Sequence, residues 1–262
     1  MITMLKLGGS LITDKTTAHT ARREVIARLA EEIAAVRKEN PFPLIIGHGS
    51  GSFGHIPAKR YGTRSGVRTP EEWAGFAEVH SEAAALNRIV TDILRESGLP
   101  VLSFVPMDEI RAEDGKVLFW DTRPLTEAMR NGLIPLVFGD TVFDSVRGGT
   151  IFSTEDLFVH LCGILPEPPR ILLAGLEAGV WADYPANTRL VREIRAERSG
   201  GEEFIKGSEF TDVTGGMREK VRLMEELIRA GEANSAVIFS GAEAGNTRHA
   251  LKGEPAGTLI IR

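Results

Sequence analysis

The chain has 262 residues, with 31 Lys and Arg against 36 Asp and Glu, a net charge of −5 and one cysteine. The acidic balance argues against nucleic acid as the main partner, and the lone cysteine excludes an intrachain disulfide or a multi-cysteine zinc site. No apolar run approaches the ~18 residues of a membrane-spanning helix. The amino terminus lacks the charged-then-apolar pattern of a signal peptide, so a soluble cytoplasmic α/β chain is the expectation, with no membrane partner.

Residues 2–7 read as a buried strand, and 21–38 as a helix with Val25, Leu29, Ile33 and Val36 on one face. A second strand, 43–47, runs straight into a glycine-rich loop. Residues 71–96 carry the longest helical pattern, with Phe76, Val79, Ala83, Leu86, Val90 and Ile93 recurring every three or four positions. Gly98-Leu99-Pro100 ends it and starts a strand reaching Phe104 or Val105. Residues 106–122 read as a β-hairpin insertion turning at Asp114-Gly115. A helix at 123–131 and a strand at 134–138 follow. Further strands are expected at 171–174, 236–239 and 259–261, further helices at 155–164 and 216–231, and an irregular surface segment at 184–213. Continuous apolar strands alternating with helices imply a mostly parallel central sheet covered on both faces, a three-layer αβα sandwich in one domain spanning 1–262. Ligands of such sheets bind beyond the carboxyl ends of the strands.

The glycines fall at those ends. Lys6-Leu7-Gly8-Gly9-Ser10 offers backbone amides and a point charge to a phosphate, with Lys15 near the same mouth. Gly47-His48-Gly49-Ser50-Gly51-Ser52-Phe53-Gly54-His55 follows the second strand as an anion nest. Residues 49–54 also match G-x-G-x-x-G, but a dinucleotide fold wants an acid ~20 residues on, at the end of the next strand. Here that strand ends near Phe104 and the next acid is Asp108. Gly139-Asp140 follows the strand at 134–138, and Ser153-Thr154-Glu155-Asp156 opens a helix that Ser153 or Thr154 would cap. Such a helix start offers amides to an anion and carboxylates to bound Mg²⁺. Thr214-Gly215-Gly216 opens another helix with Lys220 in its first turns, a phosphate cradle distinct from a Walker loop. Gly179-Val180-Trp181-Ala182-Asp183 suits a nucleotide base or ribose. His48 reads as a buried structural residue and His80 as packing. The pairs Glu31-Glu32, Glu71-Glu72 and Glu225-Glu226 read as solvated helix faces.

Taken in order, Lys-x-Gly-Gly-Ser, the glycine loop, Gly-Asp and Thr-Gly-Gly-Met-x-x-Lys resemble the amino acid kinase family along the whole chain. His-Gly-x-Gly-Ser-Phe-Gly-His, ending at His55, resembles its branch whose acceptor is isopentenyl phosphate. The resemblance implies ATP with Mg²⁺ and usually a homodimer, with the N-terminal part binding acceptor and the C-terminal part ATP. It further implies that Lys6, Leu7, Gly8, Gly9, Ser10, Gly51, Gly216 and Lys220 touch ATP, with Gly179 and Asp183 on the nucleoside side. Ser50, Gly54 and His55 would hold the acceptor phosphate, with Ser153 and Thr154 beside it. Lys15, His55 and Lys6 would serve transfer. Read without the resemblance, the residues leave open another small-molecule kinase of this fold, with fosfomycin or an amino acid as acceptor, or a non-catalytic anion-binding protein.

Overall fold

A computed structural model describes residues 1–14, 16–196 and 215–262. In chain order its strands are β1 (Thr3–Leu7), β2 (Leu44–His48), β3 (Val101–Ser103), β4 (Ile110–Glu113), β5 (Lys116–Trp120), β6 (Ile134–Phe138), β7 (Asp140–Asp144) and β8 (Gly148–Phe152). There follow β9 (Arg170–Gly175), β10 (Val180–Trp181), β11 (Leu190–Val191), β12 (Glu193–Arg195), β13 (Ser235–Ser240) and β14 (Gly257–Ile261). The helices are α1 (Gly9–Ile12), α2 (Arg23–Glu39), α3 (Gly51–Tyr61), α4 (Pro70–Glu96), α5 (Pro106–Glu109), α6 (Arg123–Arg130), α7 (Thr154–Ile164), α8 (Gly215–Ala230) and α9 (Asn246–Lys252).

The central sheet has the order β12-β14-β13-β9-β1-β2-β6-β3. Its six strands from β13 to β3 are parallel, β14 runs antiparallel to β13, and β12 pairs in parallel with β14 at that edge. Strand alternation splits the core in two. Leu5, Leu7, Ile46, Leu136, Leu172 and Phe239 pack with α2 and α4 residues such as Leu29, Ile33, Leu86 and Val90. Met4, Ile45, Val137, Ile171 and Ile238 pack on the opposite face with Leu157, Phe158 and Leu161 of α7 and Met224 and Leu227 of α8. Five consecutive buried residues in each of β1, β2 and β6 are what a strand covered on both faces requires. The three-layer sandwich read from the sequence is the observed fold.

The longest helix begins as its sequence dictates. Thr69 Oγ1 accepts from the Glu72 amide at 3.3 Å, and the Glu72 carboxylate accepts from the Thr69 amide at 2.8 Å, with Pro70 in the first turn. Glu72 is thus a capping residue rather than merely a solvated face. Glu32 departs further from expectation. It is buried and accepts from Arg28 and from the amides of Gly245 and Arg248, so α2 caps the start of α9.

The expected hairpin is β4–β5, with Asp114 and Gly115 both at positive φ in its turn. A second hairpin, β7–β8, was read only as a Gly-Asp loop, and the two join as a four-stranded sheet, β5-β4-β7-β8. Asp144 fastens them, its carboxylate accepting from the amides of Asp114, Gly115, Val146 and Arg147 at 2.7–3.1 Å. The strand expected to reach Phe104 or Val105 stops at Ser103, because Pro106 opens α5. The irregular segment expected at 184–213 lies partly outside the described residues. Its described part carries β11 and β12.

Candidate functional site

β1 pairs in parallel with β2 on one side and β9 on the other, so the chain changes winding direction there. The crevice beyond the carboxyl end of β1 is where an open α/β sheet takes its ligand. Both N-terminal glycine loops arrive at it, not as open loops but as helix starts. Gly9 and Ser10 form the first turn of α1, and Gly51 opens α3 directly behind Ser50.

The two loops are packed backbone against backbone. A Cβ on Gly9 would lie 2.5 Å from the Gly51 nitrogen and 2.8 Å from its Cα. Gly51 has φ +51°, in the left-handed region that glycine enters at little cost. Thr13 bridges the pair, donating to Gly9 O at 2.7 Å and accepting from the Ser52 amide at 3.0 Å. On the other flank the Gly8 amide donates to Ala174 O at 2.8 Å, and Gly49 N donates to Leu7 O at 3.1 Å.

Period-two alternation turns Leu5 and Leu7 toward α2 and sends Lys6 to the opposite face, where α7 begins. Gly47 of β2 faces the same way. A Cβ there would collide with Thr154 Cγ2 and come within 2.8 Å of Phe158, so its absence lets α7 seat against the sheet. The ammonium of Lys6 consequently meets the Glu155 carboxylate in an ion pair whose side chains are 11% and 13% exposed. Burial holds Lys6 below the ordinary lysine range, with Glu155 opposing that shift and the charge of Lys220 adding to it. Burial would raise Glu155, but Lys6 and Lys220 outweigh it and the carboxyl lies below its usual range. Lys6 of β1 thus pairs directly with a buried carboxylate, and the charge of Lys220 on α8 reaches both groups through the field of the site.

The remaining expected residues divide. Ser50 precedes α3, and Phe53 N donates to its carbonyl at 3.1 Å. Gly54 is buried in the first turn of α3, and His55 follows it, exposed. Ser153 caps α7, its hydroxyl accepting from Asp156 N at 3.2 Å and donating to the Asp156 carboxylate at 2.8 Å. Thr154 is buried and donates to His48 O at 2.6 Å. Both hydroxyls therefore hold the loops together, leaving backbone as their way of meeting an anion. Gly179 packs on β14, where Val180 N donates to Thr258 Oγ1 at 2.8 Å. The Asp183 carboxylate accepts from the amides of Thr188 and Arg189 and from the Thr188 hydroxyl, which ties up its oxygens inside its own loop. Gly216 lies in the first turn of α8, with open space around it. Lys15 and Thr214 lie outside the described residues.

His48 is fully buried, its ring 3.1 Å from Asn87 Oδ1 and stacked on Phe138. Phe76, Val79 and Ala83 of α4 are also buried. Sequence reasoning treated Glu155 only as a carboxylate near a metal; its role as counter-ion to two lysines was missed. The signal lay in the period of β1, which aims Lys6 at the helix that Ser153 and Asp156 open. His80, read as packing, instead makes a polar contact with Asp140.

A helix-flanked parallel sheet with amide-rich helix starts and two lysines at its switch point defines a phosphate-handling transferase of the α/β class. The chain belongs to the amino acid kinase family, whose family model matches residues 1–240. It is 34% identical over 266 residues to the isopentenyl phosphate kinase of Methanothermobacter thermautotrophicus, covering 98% of both chains. It is 31% identical over 270 residues to that of Methanocaldococcus jannaschii, covering 99% of this chain and 98% of the relative. A solved isopentenyl phosphate kinase superposes with a TM-score of 0.81 at 30% identity over the full length of both chains.

Proposed function

We propose that this chain is a kinase that transfers the γ-phosphoryl group of ATP to isopentenyl phosphate, giving the diphosphate and ADP. The full-length likeness to isopentenyl phosphate kinases supports the acceptor. The observation in the molecule that carries the chemistry is the buried Lys6–Glu155 pair, under the charge of Lys220, beside two abutting glycine loops.

A phosphate monoester already presents an anionic oxygen near neutral pH, so no general base is needed. Repulsion is the obstacle, since two unit charges 4 Å apart cost about 4 kcal/mol at an effective dielectric near 20. The site answers with cations and aligned amides in a fixed frame, which is how phosphoryl transfer is catalysed. In our reading Lys6, Lys220 and the amides of Gly8, Gly9 and Gly51 hold the ATP phosphates, with Glu155 keeping the two lysines apart and aimed. Ser50, Gly54 and His55 hold the acceptor phosphate, and Lys15 follows the transferred group. The apolar tail of the acceptor then lies toward the α4 face that carries Phe76 and Val79.

Among the described residues no three His, Cys, Asp or Glu side chains gather as a metal site. Glu155 is engaged by Lys6, and Asp156 by Ser153 and Arg64. Mg²⁺ would then be held chiefly through ATP phosphates placed by Lys6, Lys220 and the glycine-loop amides. Bound there, it neutralises phosphate charge. A homodimer and a cytoplasmic location are part of the same proposal; no described helix is long and apolar enough to cross a membrane. The test is product formation with ATP and Mg²⁺ across isopentenyl phosphate, dimethylallyl phosphate, fosfomycin, UMP and acetylglutamate. Isopentenyl phosphate should be the preferred acceptor, and clear turnover of another with none of it would overturn the reading.

A further inference from the structure

Asp140 begins β7 immediately after Gly139 and is fully buried. The imidazole of His80, on α4, places Nδ1 3.1 Å from each Asp140 carboxylate oxygen. The His80 side chain is 26% exposed, whereas that of Asp140 is 0%. The pair differs in this from His48, whose ring is wholly interior. Solvent can deliver a proton to His80, yet the charge that proton balances is out of reach of water.

The corner held by this contact is joined to the acceptor loop. Gly139 N donates to His48 O at 3.2 Å, and Thr154 Oγ1 donates to the same oxygen. His48 stands two residues before Ser50. α4 itself packs on both α3 and β7. His80 lies one helical turn beyond Phe76, on the face that meets β7. The charges acting on His80 are Asp140 at the corner and Asp108 of α5, and Asp140 also accepts from the amides of Thr141 and Met107.

We propose that His80, acting through Asp140, is a positioning residue for the acceptor: the imidazolium–carboxylate pair fixes the Gly139-Asp140 corner, and with it the His48-Gly49-Ser50 loop. This rests on the reading that Ser50, Gly54 and His55 hold the acceptor phosphate. When His80 loses its proton, Asp140 is left as a buried carboxylate without its counter-charge, and the corner relaxes. The ATP side rests on β1, α7 and α8 and meets this corner only through Thr154 and the Gly9–Gly51 contact. Acceptor KM should therefore respond more strongly than kcat or ATP affinity. The Asp140 hydrogen bond holds His80 above the usual histidine range, so the proton is retained to higher pH than on an ordinary imidazole.

The experiment follows diphosphate formation by phosphorus NMR from roughly pH 6 to 9 in wild type, His80→Gln, His80→Ala, Asp140→Asn and His55→Gln. ATP affinity and melting temperature are measured alongside, and the six histidine rings are titrated by carbon-13 NMR. Acceptor KM in the wild type should rise as His80 deprotonates. His80→Gln, which keeps a donor without a titration, should flatten the share of that rise due to His80, and that share should persist in His55→Gln, which removes only the titration of the acceptor-side imidazole. His80→Ala should hold acceptor KM about tenfold above the low-pH wild-type value and flat with pH, part of the ~100-fold that a ~1 Å misplacement can cost, and the wild type should approach it as His80 deprotonates. Asp140→Asn should bring the His80 titration down. Unchanged acceptor KM in His80→Ala, or joint loss of ATP affinity, acceptor affinity and melting temperature in both His80 variants, overturns the proposal. If the wild type makes no diphosphate, the functional reading falls instead. The link is then decided with inorganic phosphate, whose binding must shift the His80 titration in the wild type and not in Asp140→Asn.

Discussion

Lys6 on β1 and Glu155 on α7 form an ion pair that is almost wholly out of water, at the strand where the sheet's two windings meet between β2 and β9. A buried pair of this kind is weak evidence for stability in itself, but removing one partner strands the other. Here the stranded group would be an ammonium facing Lys220.

Glu155→Gln should therefore destabilise the ligand-free protein by about 3–5 kcal/mol, read as a fall in the denaturant midpoint at constant slope. Binding of a non-hydrolysable ATP analogue should restore more stability to the variant than to the wild type, because phosphate charge replaces the missing carboxylate. The pH dependence has a defined sign. The folded Glu155 carboxyl lies below its ordinary value of 4.5. Its contribution is complete above that value and is lost as pH falls through the depressed folded one. The variant should lack that share of the acid limb. An unchanged midpoint would mean the two lysines do not need the carboxylate.

The glycines of the two phosphate loops are not interchangeable. Gly9→Ala would drive a Cβ into the backbone of Gly51, which has no side chain to yield. The loops must separate, and activity should fall by about 100-fold or more, as a displacement near 1 Å can cost that much. Gly216→Ala meets open space within a helix, so melting temperature should hold or rise. If backbone at that point approaches a phosphate, ATP affinity should fall while stability does not. Isothermal titration paired with thermal unfolding separates the two effects.

The layers were legible because β1, β2 and β6 are mostly apolar runs, broken only by Thr3 and Lys6 in β1 and by Gly47 and His48 at the end of β2, and α2 and α4 carry a clean helical period. The β4–β5 hairpin announced itself through Asp114-Gly115. What escaped had weaker local signals. β7–β8 reads as scattered polar and aromatic residues, and its strands are specified by Asp144 gathering four amides, a tertiary arrangement. α3 hid behind its glycines, whose helix-breaking propensity is overridden by packing against α1 and α4. At the site, the chemistry-bearing residues could be picked out one by one, but their pairing could not. Glu155 with Lys6, and Asp140 with His80, are 149 and 60 residues apart in sequence (155 − 6 and 140 − 80), and only the sheet order makes them neighbours.

Lys15→Met should lower kcat far more than it weakens either substrate. Its charge follows a phosphate loop, and a cation that matters most as charge shifts between phosphates acts on the transition state. Losing such a contact in a water-poor site is worth about 2–4 kcal/mol, roughly 30- to 1000-fold. Single-turnover rates with saturating substrates measure it directly, and an unaltered rate would demote Lys15 to the surface.

His55 separates acceptor recognition from nucleotide recognition. It sits exposed near the start of α3, one residue past Gly54. A Cβ on Gly54 would press on Ser50 at 2.7 Å, so the turn carrying His55 is held tight against the loop assigned to the acceptor. His55→Ala should accordingly raise acceptor KM and lower kcat while leaving ATP affinity nearly intact. His55→Gln, which keeps a hydrogen-bond donor of similar reach, should recover a measurable part of both. If the ring merely packed the loop, both substitutions would loosen α1 and α3 together. The melting temperature would then drop and ATP and acceptor would weaken in parallel. ATP affinity by calorimetry, acceptor KM by product assay and melting temperature, taken on the same two variants, decide between an imidazole that meets phosphate and one that only fills space.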